Sequence, residues 1–467
     1  MNTNTEFTTM ELANLILNEK NEKIKPENIR HDVQVFDIVG TYKGDTGASY
    51  SPKHIIFTGI GLDANNVYNM YYNGTNLNIF DAEHLDTSNV TNLIGTFMYC
   101  SNLSSLEELQ NWNTINVSNM KNTFGGQSSI TSFHGLENWD VSNVQSISNF
   151  ISSIHNIHTT NELINWDLSN VKNINTMFYY GSDIDLCMFA NRDYKGVTFD
   201  CIVSSFDNQK SLTNFTNCNF TNCKISNLIA SCINLQNFSE ISTWNFTDCN
   251  ISYIAGYRDI PRQFRPGYTM HGNNISLAYL YPSNNMSYPH NLQTTGNYDI
   301  TKCNAYMMFT NQTNLAQVEN ITMYNCNNAI YMFSNCSNIT SIAGMEMHFS
   351  TNYGSDYNGL VTYMFYNCHK LVDATALDNW TYTDTIVSGN VRTINTAYMF
   401  YNCNNLSDNS IYAISNFLCN ISNYILRNCY NLNNQNYMSI FCGTNINVQN
   451  VLSEDKINEL TSHGFYF

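Results

Sequence analysis

Apolar side chains return along this chain at a period far longer than that of a helix or a strand. Trp112, Trp139 and Trp166 are spaced by 27 residues, and Phe97, Phe124, Phe150 and Phe178 follow one another at 27, 26 and 28. Two short patterns travel with them. The first is F-x-x-C-x-N-L, read as FMYCSNL at 97–103, FSNCSNI at 333–339, FYNCHKL at 365–371 and FYNCNNL at 400–406. Looser copies are FGGQSSI, FYYGSDI, IASCINL, FTNQTNL and LRNCYNL. The second is L-x-N-W at 109–112, 136–139, 163–166 and 377–380, accompanied in the early copies by D-x-S-N-V. Such a period marks a repeat array, in which one coil cannot bury its own apolar side and neighbours stack into a continuous core.

The expected fold is therefore mainly β, or an α+β repeat: a leucine-rich-repeat-like solenoid of about a dozen coils with a small N-terminal helix-plus-strand segment. Trp112, Trp139, Trp166 and Trp380 become inward rungs, as do Cys100, Cys336, Cys368 and Cys403, because a free thiol is among the most buried side chains. The Asn that follows Cys, and the Ser-Asn of D-x-S-N-V, are expected at bends, where their side chains can bond backbone groups of adjacent coils. The stretches LDTSNVTNLIGTFMYCSNL at 85–103 and NWDVSNV at 138–144 resemble the BspA-like leucine-rich repeats, the 26-residue repeats of the mycoplasma-lipoprotein type. The resemblance runs roughly from Asp81 to Asn450. It implies a curved or rod-like solenoid with one short strand per coil, and a surface-exposed adhesion or recognition module without catalysis.

Two stretches fall outside the repeat. Residues 251–300 lack Cys until Cys303 and hold Pro261, Pro266, Pro282 and Pro289, so they read as an irregular insertion between a first solenoid half, 81–250, and a second with its cap, 301–467. The insertion is either a structural plug or a protruding contact surface. Its Arg and Tyr side chains, types enriched at interfaces, make Tyr257, Arg258, Arg262, Arg265, Tyr279 and Tyr281 the candidate receptor contacts. At the other end, Leu12, Leu15 and Ile16 form a helical stripe, and Val33, Val35 and Phe36 begin a short strand that ends at Gly40. Residues 46–80 are assigned to a linker or solenoid cap. The run from Lys23 to Tyr42, KIKPENIRHDVQVFDIVGTY, resembles a short module of bacteriophage tail and structural proteins. That resemblance implies that residues 1–45 anchor the chain to a particle, with Ile24, Pro26, Glu27, Asn28, Ile29, Val33, Phe36 and Gly40 as anchoring candidates.

Composition narrows the function. Against 37 acidic residues stand only 20 Lys and Arg, for a net charge of −17 in 467 residues. Phosphate-backbone binding needs clustered basic side chains, so nucleic acid is excluded as a partner. Apolar residues make up 43% and charged residues only 12%, too much core and too little charge for a disordered chain. No run of apolar residues reaches transmembrane length, so membrane insertion is not expected, and Met1 to Lys20 has no basic or long apolar region typical of a secretory signal. The 15 cysteines follow no zinc spacing, and the histidines, His155 and His158 included, are scattered. No catalytic motif occurs. No enzyme activity, cofactor or metal is expected.

Together these features point to a bacteriophage virion protein of the tail or baseplate region. It would be made in the host cytoplasm and assembled as a homo-oligomer with other virion proteins, and it would contact a host-surface glycan or protein. The alternatives are a bacterial BspA-like surface adhesin, a phage head or collar decoration, and a glycan depolymerase.

Overall fold

The computed structural model describes residues 87–100, 103–126, 129–206, 208–232, 234–254, 269–277, 280–281, 292–350, 361–383, 396–425, 440, 444–463 and 465, together with short strands at 34–35, 38–39, 54–56 and 79–81. The chain divides into two compact units. One comprises residues 1–190, 197–209 and 213–215, and the other residues 191–196, 210–212 and 216–467. The division falls near residue 200 rather than at the 251–300 stretch. Both units are parallel-strand solenoids. In the first, Gln34–Val35 and Ile38–Val39 form an antiparallel pair where one strand was expected. The helix expected before it, and every anchoring candidate from Ile24 to Gly40, lie outside the described residues.

Each coil of the first unit has three sides. One carries the parallel bridges Asn92 to Asn119 to Ser146 to Asn173, which continue as strand Asn173–Asn175 beside Thr198–Asp200. The second carries Ile151–Ile154, Phe178–Gly181 and Val203–Phe206, again parallel and in register. The third is made of short 3-10 turns such as Glu107–Leu109 and Asn161–Leu163, each followed by its Trp. Val117, Val144 and Val171 of the D-x-S-N-V phase point inward. The polar residues just before them close the corner. Asp140 and Asp167 accept from the N–H two residues on, and Asn116, Asn143 and Asn170 each donate to a carbonyl of the preceding coil, at 2.7, 2.7 and 2.6 Å.

The tryptophans form an indole column. Ring centroids lie 6.2 Å apart for Trp112 and Trp139 and 6.5 Å for Trp139 and Trp166, with the rings within 7° of parallel. The column also makes hydrogen bonds along the stack: Trp139 Nε1 donates to the Leu109 carbonyl and Trp166 Nε1 to that of Leu136, each at 2.9 Å. Both partners belong to the L-x-N-W of the previous coil. For Trp112 the same phase falls at position 82, outside the described residues, and its Nε1 has no partner among those described.

The second unit holds a longer ladder. Strands Asp193–Lys195, Asn219–Thr221, Asn245–Thr247, Thr269–Ser276, Asn297–Asn304, Ile321–Asn328, Met345–Ser350 and Thr381–Thr383 pair in sequence order, all parallel. Early coils bend within this side, at Asn222 and Asp248, and split it into two three-residue strands. From Thr269 onward the two merge into one long strand. Thr269–Ser276 lies within the stretch read as an insertion, yet it sits in register between its neighbours. Its coil closes on Tyr281 where other coils have Phe. Tyr281 is buried and stacks on Phe309 at 6.0 Å, so it is a core residue and not a receptor contact.

The F-x-x-C pattern also acts along the stack. Phe309, Phe333, Phe365 and Phe400 stack at 5.1, 5.6 and 5.3 Å, close to the spacing of adjacent strands. Cys336, Cys368 and Cys403 are fully buried, and each thiol donates to the Phe carbonyl one coil back: Phe309 at 3.0 Å, Phe333 at 3.2 Å and Phe365 at 3.1 Å. In the degenerate copy FTNQTNL, Gln312 takes the Cys place and its Nε2 donates to the Tyr281 carbonyl at 2.6 Å. What the position requires is a buried donor, not sulfur.

The bend residue of this pattern is the Asn before Cys rather than the one after it. Asn311, Asn335, Asn367 and Asn402 have φ of 62, 60, 61 and 57°, the left-handed region that Asn tolerates better than most residues. Asn335, Asn367 and Asn402 each donate an Nδ2 hydrogen bond to the Oδ1 of the Asn one coil earlier, at 2.6, 2.8 and 2.8 Å. Of the later Asn residues, Asn405 does bond a neighbouring coil, through the His369 carbonyl. The helix Asp408–Ile425 then covers the last coil, setting Phe417 edge-on against Trp380 at 5.8 Å and Ser410 Oγ on the Val372 carbonyl.

Two outcomes follow. Trp139→Phe keeps the aromatic column but leaves the buried Leu109 carbonyl without its donor, and is expected to lower unfolding free energy by about 1–3 kcal/mol in chemical denaturation. Asn367→Ala loses two ladder bonds and the tolerance for positive φ, an expected cost of about 2–4 kcal/mol, whereas Asn367→Gly keeps the backbone conformation and is expected to cost roughly 1 kcal/mol less.

A tyrosine and asparagine face as the candidate functional site

The residue four before each ladder Asn is also held at positive φ, and in three coils running it is tyrosine. Tyr331, Tyr363 and Tyr398 have φ of 57, 57 and 56°. A bulky side chain there costs free energy, on the order of 1–3 kcal/mol each by comparison with a relaxed conformer. The backbone imposes it: the N–H groups of Tyr331 and Tyr363 donate to the next coil while the flanking Met332 and Met364 turn into the core. The tyrosine is therefore forced outward and left half-buried.

The rings answer one another across coils. Tyr331 stacks on Tyr363 at 4.8 Å and Tyr363 on Tyr398 at 5.1 Å, within 14° of parallel. A second column, Tyr366 on Tyr401 at 4.6 Å, meets the first edge to face at 5.5 and 6.1 Å. Such pairs contribute about 0.5–1.5 kcal/mol beyond their buried area, which offsets much of the backbone strain. Beside the columns runs the amide ladder Asn335, Asn367, Asn402. The result is a rigid strip of aromatic faces flanked by amides, with no charged group in the columns themselves. Burial, and then repulsion by the neighbouring phenols, raises the Tyr363 pKa above its ordinary value, so that phenol stays protonated at physiological pH. On the strand side, Tyr324 stacks on His348 at 4.7 Å, and His348 hydrogen-bonds Thr381 and Glu346.

These tyrosines were not among the expected contacts, although the sequence carries a sign of them in the recurring Tyr-Met-Phe at 331–333, 363–365 and 398–400. Among the expected contacts, Tyr257, Arg258, Arg262, Arg265 and Tyr279 lie outside the described residues. The expected rungs Trp112, Trp139, Trp166, Trp380, Cys100, Cys336, Cys368 and Cys403 are all buried. Burial pushes Cys368 up to about 12 and Cys218 to about 11, so they stay protonated and are poor nucleophiles. His158 pairs with Asp183 on the exposed surface of the first unit.

The described residues thus build parallel-strand, leucine-rich-repeat-like solenoids. A family model described as a Mycoplasma protein of unknown function, DUF285, matches residues 65–188. Among solved structures, an internalin (InlF) from Listeria monocytogenes is similar over 64% of this chain and 80% of its own, at 15% identity and a TM-score of 0.15, too distant a likeness to bear on function. No curated protein matches the sequence.

One carboxylate, that of Asp373, ties two coils together through Ser341. Burial raises the Asp373 pKa, but hydrogen bonds from the Thr375 hydroxyl and N–H and from Ser341 Oγ outweigh it and hold the carboxyl below its ordinary value. The folded state thus prefers the ionised form. That stabilisation is present above the ordinary Asp pKa of about 3.9 and is lost as pH falls through the lower folded value. The melting temperature is expected to fall below about pH 4, and Asp373→Asn should flatten that acid limb while lowering stability at pH 7.

Proposed function

We propose that this chain is a non-catalytic surface-recognition module of the BspA-like bacterial adhesin kind, and that the tyrosine columns of its second unit are the contact surface. One observation carries the reading: Tyr331, Tyr363 and Tyr398 are ordered, stacked and outward-facing at a backbone conformation that costs stability. A fold under selection for stability alone would place Asn or Gly there, as it does four residues later. Rigid aromatic faces bind at low entropic cost, and adjacent amides supply hydrogen bonds. The combination suits a glycan, whose C–H faces stack on phenol rings while its hydroxyls meet Asn. The family match to Mycoplasma proteins over residues 65–188 supports a bacterial context. Weak single contacts of this kind gain avidity when many copies share one surface.

The virion reading rests on the run from Lys23 to Tyr42, whose anchoring candidates lie outside the described residues, and neither comparison supports it. Quantitative detection of the protein on intact cells against purified phage particles separates the two, and recovery only in particles would overturn the adhesin reading.

The contact surface has its own test. Tyr363→Ala with Tyr398→Ala is expected to weaken binding to glycan arrays or host cells at least about tenfold, a loss of roughly 1.4 kcal/mol or more. Binding that survives this change undiminished, in a variant whose melting curve shows it folded, would sink the assignment.

A further inference from the structure

We propose that Cys419, Glu459 and His463 form a zinc site that locks together the two helices beyond the last coil. Cys419 comes from the Asp408–Ile425 helix. Glu459 lies on the Glu454–Ser462 helix and His463 is its C-cap, one turn further along, so the two side chains share a face. One ligand atom from each of the three lies within 4.8 Å of the other two. Around a tetrahedral zinc, with bonds of about 2.0 to 2.3 Å, donors sit roughly 3.5 Å apart. A rotamer adjustment at Glu459, which is exposed, or at His463, which is half-buried, closes that difference. Cys419 is buried and sets the depth of the site.

The chemistry of the set selects the metal. Thiolate, imidazole and carboxylate together suit a borderline-soft ion, whereas calcium and magnesium take oxygen ligands almost alone. Three protein ligands leave a fourth position for water. In the metal-free arrangement Lys456 Nζ lies 2.6 Å from Glu459 Oε2. Zinc replaces the thiol proton, forming a Zn–S bond and releasing one proton to solvent. Glu459 can still offer its other oxygen to the ion.

The position of the site gives it a purpose. Tyr412 Oη accepts from the Ser453 N–H at 2.9 Å, which fastens the start of the second helix to the early part of the first. Leu460, between the two ligands on the second helix, is fully buried. At the far end, among the described residues, only the Cys419, Glu459 and His463 group brings together three side chains of metal-ligand type. A metal there closes the second end of the clamp, and so protects the Phe417–Trp380 contact that covers the last coil.

The test uses the full chain, reduced and stripped with chelator, then titrated with Co2+ as a spectroscopic stand-in for Zn2+. The expected result is one equivalent bound, with tetrahedral d–d bands and a thiolate-to-metal charge-transfer band, and a higher melting temperature with Zn2+ than with chelator. Cys419→Ser, nearly isosteric, should abolish the charge-transfer band. His463→Gln and Glu459→Gln should each weaken binding at least about tenfold, the lower end of what even a lost supporting partner costs a metal site. No uptake of either ion overturns the proposal. So does a charge-transfer band that persists unchanged in Cys419→Ser, since another cysteine would then be the ligand. If Cys419→Ser fails to fold, the surface variant His463→Gln decides: undiminished binding there overturns the site.

Discussion

Every coil of a stacked repeat leaves one face of polar backbone pointing along the axis, and that face must find partners in the next coil. This is the constraint on which the rest of the molecule depends. Strand N–H and C=O groups satisfy it along the sheet sides. At the corners, where the strand pattern breaks, side chains take over. Trp139 and Trp166 reach the Leu109 and Leu136 carbonyls, Cys336, Cys368 and Cys403 reach those of successive phenylalanines, and the Asn of D-x-S-N-V reaches the corner of the preceding coil. The recurring residues are thus donors at fixed heights, as well as apolar filler. An unpaired buried carbonyl costs more than a well-made bond gains, which makes these positions intolerant of substitution.

The same constraint explains how the repeat survives variable spacing. Phe333 and Phe365 are 32 residues apart and Phe365 and Phe400 are 35 apart, yet their rings stack at 5.6 and 5.3 Å, as tightly as pairs separated by 27. Extra residues are accommodated between rungs because loop length changes the closure entropy only slowly, while a shift of register would misplace a whole row of donors and acceptors. Gln312 in place of Cys shows the same preference for function over identity.

The proposed contact surface grows out of the corners rather than the sheet. A left-handed residue at each corner turns its side chain outward, and the coil-to-coil spacing of about 5 Å is near the separation at which aromatic rings stack. Filling that position with tyrosine in successive coils therefore produces a column without further design. The strain of positive φ and the gain from stacking partly cancel, which leaves an ordered aromatic strip available to a partner. A strip built of tyrosine and asparagine, with no Lys, Arg, Asp or Glu in its columns, suits the proposed recognition by stacking and hydrogen bonds better than recognition by charge.

The period of 27, the inward Trp, Phe and Cys, and the solenoid itself were legible in the sequence, because repetition of large apolar residues at one phase has few physical solutions. The Ser and Asn of D-x-S-N-V were legible for a similar reason: short polar side chains before an inward valine can only turn the chain and bond nearby backbone. The coil at Thr269–Ser276 was not, since Tyr281 replaces Phe and no Cys marks it; only strand pairing on both sides shows that it belongs to the stack. Nor could the sequence tell which Asn occupies the left-handed corner, because the choice between the residues before and after Cys depends on where the backbone of the next coil lies. Residues far apart in the chain, such as Tyr331 and Tyr363 or Cys419 and His463, become neighbours through stacking and helix packing alone. Local pattern determined what each coil is made of, and the tertiary structure decided what the coils present together, because adjacency between coils is set by register and not by distance along the chain.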